Sequence, residues 1–269
     1  MTIWEHAHHV RSLGWLRNVA YERNCVFCGE PLIKRISEKS WDKSMLGPGS
    51  IKKDVYVCHV CGWWRVLRQS YYPCTSDDPN DSDVSVNKAA AGALKEFPLL
   101  DLDIPVIELR AYLSGLPEKR FMVTPKLIEE TVVSVFRSSG YNVEETQYSK
   151  DGGIDAIIYG DDQKPVPIQV KAPRSEKKVQ VNTIREFLGA MLLDSRKKGI
   201  DYTKGVFVTM GGYTLGAKNA AELCGVELEL FDAKRFFDIL RVAQRNDYED
   251  SDLESLTKDD KLTQIWTSF

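Results

Sequence analysis

Four of the six cysteines in this chain come as two Cys-x-x-C pairs, Cys25 and Cys28 in "CVFCGE" and Cys58 and Cys61 in "CHVCGWW", with twenty-nine residues between Cys28 and Cys58. Each second Cys precedes a Gly, which permits the tight turn that aims backbone N–H groups at a metal-bound sulfur. Two such knuckles read as a four-Cys zinc ribbon rather than as disulfides. All four ligands are then used, so the Zn²⁺ is structural and offers no open position for chemistry. "PLIKRI", "DVYVC" and "WWRVLRQ" supply strands for the ribbon's small sheet, and Trp63 and Trp64 read as its braces rather than as base-stacking groups. His59 lies between two ligands with no room to be a third. His6, His8 and His9 precede "VRSLGWLRNVA", whose pattern is helical, and read as a solvated helix start rather than a second metal site. Cys74 and Cys224 pair with nothing by spacing, and Cys224 reads as core.

A second constraint is the stretch "DGGIDAIIYGDDQKPVPIQVKA", residues 151–172. "IDAIIY" and "VPIQVKA" are strand-like, and the polar "GDDQKP" between them is turn chemistry, which makes the pair a β-hairpin. Antiparallel pairing brings Asp155 level with Gln169, Val170 and Lys171. Gln169 and Lys171, two apart, share a face of their strand. In one register all three side chains converge; a one-residue slip sends Asp155 to the other face. A half-buried hairpin whose polar residues meet water has the same spacing, so chemistry has to distinguish the two readings. A phosphodiester resists attack, and its hydrolysis needs a carboxylate-held divalent cation with a cationic group near the water and the phosphate. Asp155 can hold the metal, the Val170 carbonyl can add an oxygen, and Lys171 can orient or deprotonate the water. Gln169 offers only a neutral amide oxygen, so a further carboxylate is wanted.

The preceding "TPKLIEETVVSVFRSSGY" opens on a capping Thr124 and on Pro125, then carries Leu127, Ile128, Val132, Val135 and Phe136 at helical spacing. Glu129 lies close to that buried face, and Glu130 turns further toward solvent. Exposed helix carboxylates are common, and sequence alone supports Glu129 weakly.

From Leu127 to about Leu240 the blocks "IEETVVSVFRSSGY", "DGGIDAII", "PIQVKA", "VNTIREFLGAM", "KGVFVTMGGYTLGAKNAA" and "VELELFDAKRF" occur in one order. In this the chain resembles the catalytic domain of the Mrr-like restriction endonucleases, a branch of the PD-(D/E)XK nuclease superfamily. The resemblance implies a DNA substrate and a Mg²⁺ or Mn²⁺ cofactor. It also implies that the helix acid is Glu129, the metal-binding Asp is Asp155 and the Gln-x-Lys is Gln169 with Lys171. The superfamily usually has an acid where Gln169 stands, but Gln is usual in this branch. Asp151 belongs to the family's "DGG" pattern and reads as a turn residue.

The remaining blocks extend the same module. "VNTIREFLGAMLLDSRKKG" and "TLGAKNAAELC" are helical, "GVFVTM" and "VELELF" strand-like, and their alternation predicts an α/β fold. The expected architecture is a restriction-endonuclease-like mixed sheet flanked by helices, plus a small N-terminal zinc-ribbon domain. Thr209, Gly211, Gly212, Tyr213 and Thr214 form a loop whose backbone donors could meet a DNA phosphate or simply connect elements.

Net charge is −3, but it is unevenly spread. Residues 1–74 carry eleven Lys and Arg against six Asp and Glu, residues 75–104 two against seven, and the tail from Val242 three against seven. This divides the chain into a zinc ribbon at 1–74, an acidic linker at 75–104, a nuclease domain at 105–242 and an acidic tail at 243–269. "IPVIELRAYLSG" reads as a short helix packing on the nuclease. With no apolar run of spanning length and no signal peptide, the expected location is the cytoplasm, without membrane contact. The expected function is a Mg²⁺-dependent DNA endonuclease in prokaryotic restriction or antiphage defence. A homodimer or a defence-system partner protein would fit beside it. The alternatives are a non-catalytic nucleic-acid-binding or assembly module on a nuclease fold, and a repair or junction nuclease.

Overall fold

The structure, a computed structural model, describes residues 4–6, 21–44, 47–76, 78, 81–94, 97–146, 153–160 and 163–246. His8, His9, the helical stretch expected at 10–20, Asp151 and the tail beyond Asn246 lie outside them. The chain divides into two units, one running to Phe97 and the other Pro98–Asp247.

The first unit is built on β1 (Trp4–His6), β2 (Ile33–Ser44), β3 (Gly47–Val57), β4 (Trp64–Tyr72) and β5 (Val84–Leu94). They form one antiparallel sheet in the order β1-β5-β4-β3-β2. Three strands fall where the ribbon blocks lie. The fourth, β5, falls within the stretch expected as an acidic linker. "VSVNKAAAGAL" is mostly small residues and pairs with β4 from Val84 to Ala91 and with β1 from Gly92 to Leu94, so part of the stretch expected as a linker is sheet. His6 pairs with Gly92 as the last residue of β1, not as a helix start. Trp63 and Trp64 are buried, and the Trp63 indole N–H donates to the Gly92 carbonyl at 2.8 Å. They brace the sheet, as their sequence context suggested.

The second unit is a three-layer α/β structure. A five-stranded mixed sheet has the order β12-β10-β8-β7-β6, from β6 (Asn142–Glu145), β7 (Ala156–Tyr159), β8 (Pro165–Lys171), β10 (Lys204–Thr209) and β12 (Glu227–Phe231). β6, β7 and β8 run antiparallel, whereas β8, β10 and β12 run parallel. Parallel neighbours need crossovers, here α3 (Val181–Lys198) and α4 (Leu215–Leu223). On their side of the sheet, Ile157 and Phe207 pack with Ile184, Phe187 and Met191. The other layer consists of α1 (Val106–Gly115), α2 (Pro125–Ser138) and α5 (Ala233–Asn246). β6 escaped the sequence reading because "NVEE" is short and mostly exposed.

Candidate active site

The hairpin that carries the candidate residues sits in the middle of this sheet, because β8 is flanked by β7 on one side and β10 on the other. Ala156 pairs with Ile168, so Asp155, one residue before the ladder, falls level with Gln169. This is the register in which Asp155, Gln169 and Lys171 fall on one face. The Asp155 backbone N–H donates to the Ile168 carbonyl at 2.8 Å, and its carboxylate accepts the Val170 N–H at 2.6 Å. Strand β8 therefore binds Asp155 twice, once through the main chain and once through the side chain. On the β6 side, the Thr146 N–H donates to the Asp155 carbonyl at 3.2 Å, and the Thr146 hydroxyl donates to the Ile154 carbonyl.

Gln169 is 5% exposed, and its Oε1 has no hydrogen-bond partner among the described residues. A buried acceptor left unpaired costs about 1–3 kcal/mol, which a bound cation or its water would offset. Asp155, the Gln169 amide and the Val170 carbonyl make an all-oxygen donor set, which suits a hard divalent ion. Lys171 is exposed at the end of β8. Beyond it, "KAPRSEKK" presents Lys171, Arg174, Lys177 and Lys178 to solvent against one acid, Glu176.

Glu129 stands on α2, half-buried, one residue after the fully buried Ile128, in the layer that covers the other face of β8. That helix starts as read: Thr124 caps it by accepting the Leu127 N–H at 3.4 Å, with Pro125 in the first turn. Glu130 is also half-buried and pairs with Lys126 at 3.7 Å.

The loop after β10 differs from the phosphate-binding expectation. Gly212–Tyr213 forms a short strand, β11, pairing in parallel with β9 (Lys178–Val179). The loop's donors are taken internally: Met210 N–H by the Lys171 carbonyl at 3.0 Å, Gly211 N–H by the Thr209 hydroxyl at 3.1 Å, and Thr214 N–H by the Val179 carbonyl at 3.1 Å. Gly211 is required by a close approach, since a Cβ there would stand 2.3 Å from the Lys177 carbonyl oxygen. Burial pushes the Tyr213 hydroxyl well above its usual range, and it donates to the Phe207 and Phe231 carbonyls. One cation passed unremarked in the sequence is Arg120. Its Nε donates at 2.8 Å to the carbonyl of Met210, the residue whose own N–H binds the Lys171 carbonyl. Nothing in the local sequence marks it, because its partner lies ninety positions away.

Residues 122–240 match the family model Mrr_cat, described as restriction endonuclease. The Mrr_cat segment opens just before α2 and closes within α5, so it contains Glu129, Asp155, Gln169 and Lys171. Two solved structures are similar to this chain. One, the DNA modification-dependent restriction endonuclease AspBHI, is 17% identical with a TM-score of 0.37, over 57% of this chain and 43% of that one. The other, MspJI restriction endonuclease in complex with a 27-mer oligonucleotide, is 20% identical with a TM-score of 0.32, over 57% of this chain and 34% of that one. The chain thus spans less than half the length of either. No curated protein matches it.

In the first unit, outside the Mrr_cat segment, the four predicted thiols converge. The Sγ atoms of Cys25, Cys28, Cys58 and Cys61 lie within 4.8 Å of one another, with Cys25–Cys61 at 3.5 Å and Cys28–Cys58 at 3.4 Å. Tetrahedral zinc with Zn–S of about 2.3 Å sets its sulfurs about 3.8 Å apart, so the cluster fits that ion. The knuckle turns close through Gly29 N–H to the Cys25 carbonyl and Gly62 N–H to the Cys58 carbonyl, at 2.9 and 2.8 Å. Both glycines have positive φ, 76° and 73°. Cys74 and Cys224 are half-buried and outside the cluster. Among the described residues no helix is long and apolar enough to cross a membrane.

Proposed function

We propose that the second unit is a Mg²⁺- or Mn²⁺-dependent DNA endonuclease and that the first is a structural zinc ribbon. The observation that carries this reading is the Val170 N–H···Asp155 bond. It fixes a carboxylate against the strand that bears Gln169 and Lys171, inside a segment that matches a restriction endonuclease family.

Asp155, the Gln169 amide and the Val170 carbonyl would hold the divalent ion, with Glu129 the fourth contributor. When bound, such an ion lowers the pKa of a coordinated water and offsets charge on the phosphate. The chain's own residues do the rest. The Val170 N–H orients the Asp155 carboxylate, which keeps acceptor capacity beyond that one bond. Lys171, exposed at the strand end, either orients the attacking water as a cation whose charge also favours the anionic phosphate, or acts as a neutral amine that takes the water's proton. Arg174, Lys177 and Lys178 supply the attraction for a DNA backbone.

A double-strand cut needs two such sites, so two copies acting on one DNA, as a homodimer or a paired encounter, complete the reading. A defence role, with or without a partner protein, and a cytoplasmic location belong to the same proposal. The test is incubation of supercoiled and linear DNA, modified and unmodified, with Mg²⁺ or Mn²⁺. The wild type should cut, and Asp155→Ala and Lys171→Ala should each lose activity by about 100-fold or more with folding unchanged. Cutting at the wild-type rate by both variants would refute the assignment.

A further inference from the structure

The first unit carries an aromatic and basic sheet face that its own folding uses only in part, through the Lys52–Asp54 pair. In the antiparallel register Trp41 lies opposite Ser50, Ser50 opposite Tyr71, and Tyr71 opposite Ser85. Residues opposite one another share a face, so Trp41 and Tyr71 stand in one row, two strands apart and about 10 Å from each other, with a small serine between them. Trp41 is 85% exposed and Tyr71 43%. The neighbouring row on the same face reads Lys39, Lys52, Gln69, Asn87, all exposed or half-exposed.

Apart from Lys52, which pairs with buried Asp54 at 3.0 Å, stability does not explain these rows. An indole held in water contributes little burial, and two lysines directly opposite each other repel. Isolated exposed apolar residues are ordinary, but two aromatic rings in register beside a row of cations and amides are not scattered singly. Asp54 offsets part of this charge, and as one carboxylate shared by two lysines it leaves the face a net positive excess. Asp54 is buried beneath Lys34 and Lys52, at 3.1 and 3.0 Å, and accepts the Ser37 hydroxyl at 2.7 Å. Asp83 accepts the Tyr71 hydroxyl at 2.5 Å, which fixes the ring's edge and leaves its face to a ligand. An anion with flat, unsatisfied rings complements this surface: the phosphates meet Lys39 and Lys52, and the bases stack on the aromatics. Bases in a duplex are already stacked and cannot reach a flat sheet in this way, whereas unpaired bases can.

We infer that this face, with Trp41 and Tyr71 as stacking platforms and Lys39 and Lys52 as phosphate contacts, binds single-stranded nucleic acid. The site is separate from Asp155 and Lys171 and does not depend on whether those residues cut DNA.

The test is fluorescence anisotropy of a labelled fifteen-nucleotide oligo-dT and of a duplex of the same length, with the full-length zinc-loaded protein and no added Mg²⁺. Oligo-dT should bind, and Trp41→Ala should weaken it by about five- to a hundred-fold. Tyr71→Ala should act in the same direction. Tyr71→Phe, which loses only the hydroxyl bond to Asp83, should keep most of the affinity. Lys39→Ala should reduce the slope of log affinity against log salt by about 0.7. Zinc content and circular dichroism separate loss of binding from loss of fold, and Trp41, being exposed, can be changed without disturbing the core. Unchanged oligo-dT affinity in a folded Trp41→Ala, Tyr71→Ala double variant would overturn the proposal. So would wild-type binding to duplex but not to oligo-dT, or a Trp41→Ala defect confined to capture of a protein partner.

Discussion

At the scale of single residues, the decisive feature is a buried amide whose oxygen has nothing to accept from. Gln169 Oε1 is left unpaired among the described residues, where an apolar side chain of similar shape would cost nothing. Gln169→Leu should therefore leave the second unit's stability unchanged or slightly raised in urea denaturation, while lowering cleavage. Equal loss of both would mean the amide is merely structural. The helix acid gives a second contrast. Glu129→Ala should reduce metal-dependent cutting by about tenfold or more, whereas Glu130→Ala, which removes only a surface pair with Lys126, should change stability by less than about 0.5 kcal/mol and leave cutting intact. The reverse result would show that the helix had been read one residue out of register. The register that sets Asp155, Gln169 and Lys171 on one face was legible because strand periodicity and a short turn leave only two registers, one of which collects all three. Arg120 was not, since its contact with the Met210 carbonyl depends on how distant segments pack.

At the scale of elements, the longest departure from the sequence reading is β5. Its acidic approach and alanine-rich run carry little β-propensity, and the strand exists because β4 offers it a paired edge. Strands β7, β8, β10 and β12 of the second unit, rich in apolar residues and bounded by turns, were by contrast readable almost to the residue, whereas the short β6, β9 and β11 were not. The loop after β10 looked open to phosphate because glycines imply backbone freedom, but here that freedom serves a close approach to Lys177. Within the first sheet, Asp54 provides a pH-dependent contribution. Burial alone would raise its pKa, but hydrogen bonds from Ser37, Lys52 and Lys34 outweigh it and hold the carboxyl below its ordinary 3.8. A depressed carboxylate stabilises the fold above its unfolded pKa and loses that contribution as pH falls through the folded value. Wild-type stability should thus drop more steeply below about pH 4 than that of Asp54→Asn. Acid release of a metal held by the four thiols would affect both chains and cancel in the comparison, and parallel acid limbs in chemical denaturation would count against Asp54.

At the scale of the whole molecule, the two units draw on different sources of stability. The first has a small core around a thiol cluster that fits zinc, so on the proposed reading its folding free energy would include that of metal binding. The second has a five-stranded sheet covered on both faces and contains no such cluster among its described residues. Removing zinc with a chelator, or changing Cys25 or Cys61 to Ser, should melt the first unit while the second keeps its own calorimetric transition. A chain beginning near Pro98 should retain Mg²⁺- or Mn²⁺-dependent cutting but bind DNA with a shallower salt dependence. Loss of both transitions together on chelation would show that the units do not fold independently.

Strand β8 lies third of five, with ladders to β7 and β10 on either side. Opening it means breaking both, so its amides should take up deuterium only as the second unit unfolds globally, and cutting should vanish with that transition rather than ahead of it. Val170 is a special probe within that strand, because its N–H is held by a side chain, the Asp155 carboxylate, and not by a backbone carbonyl. In Asp155→Ala this one amide should exchange faster while the rest of β8 remains protected. Deuterium uptake at a single peptide group would then report whether the carboxylate is in place, independently of any metal or substrate.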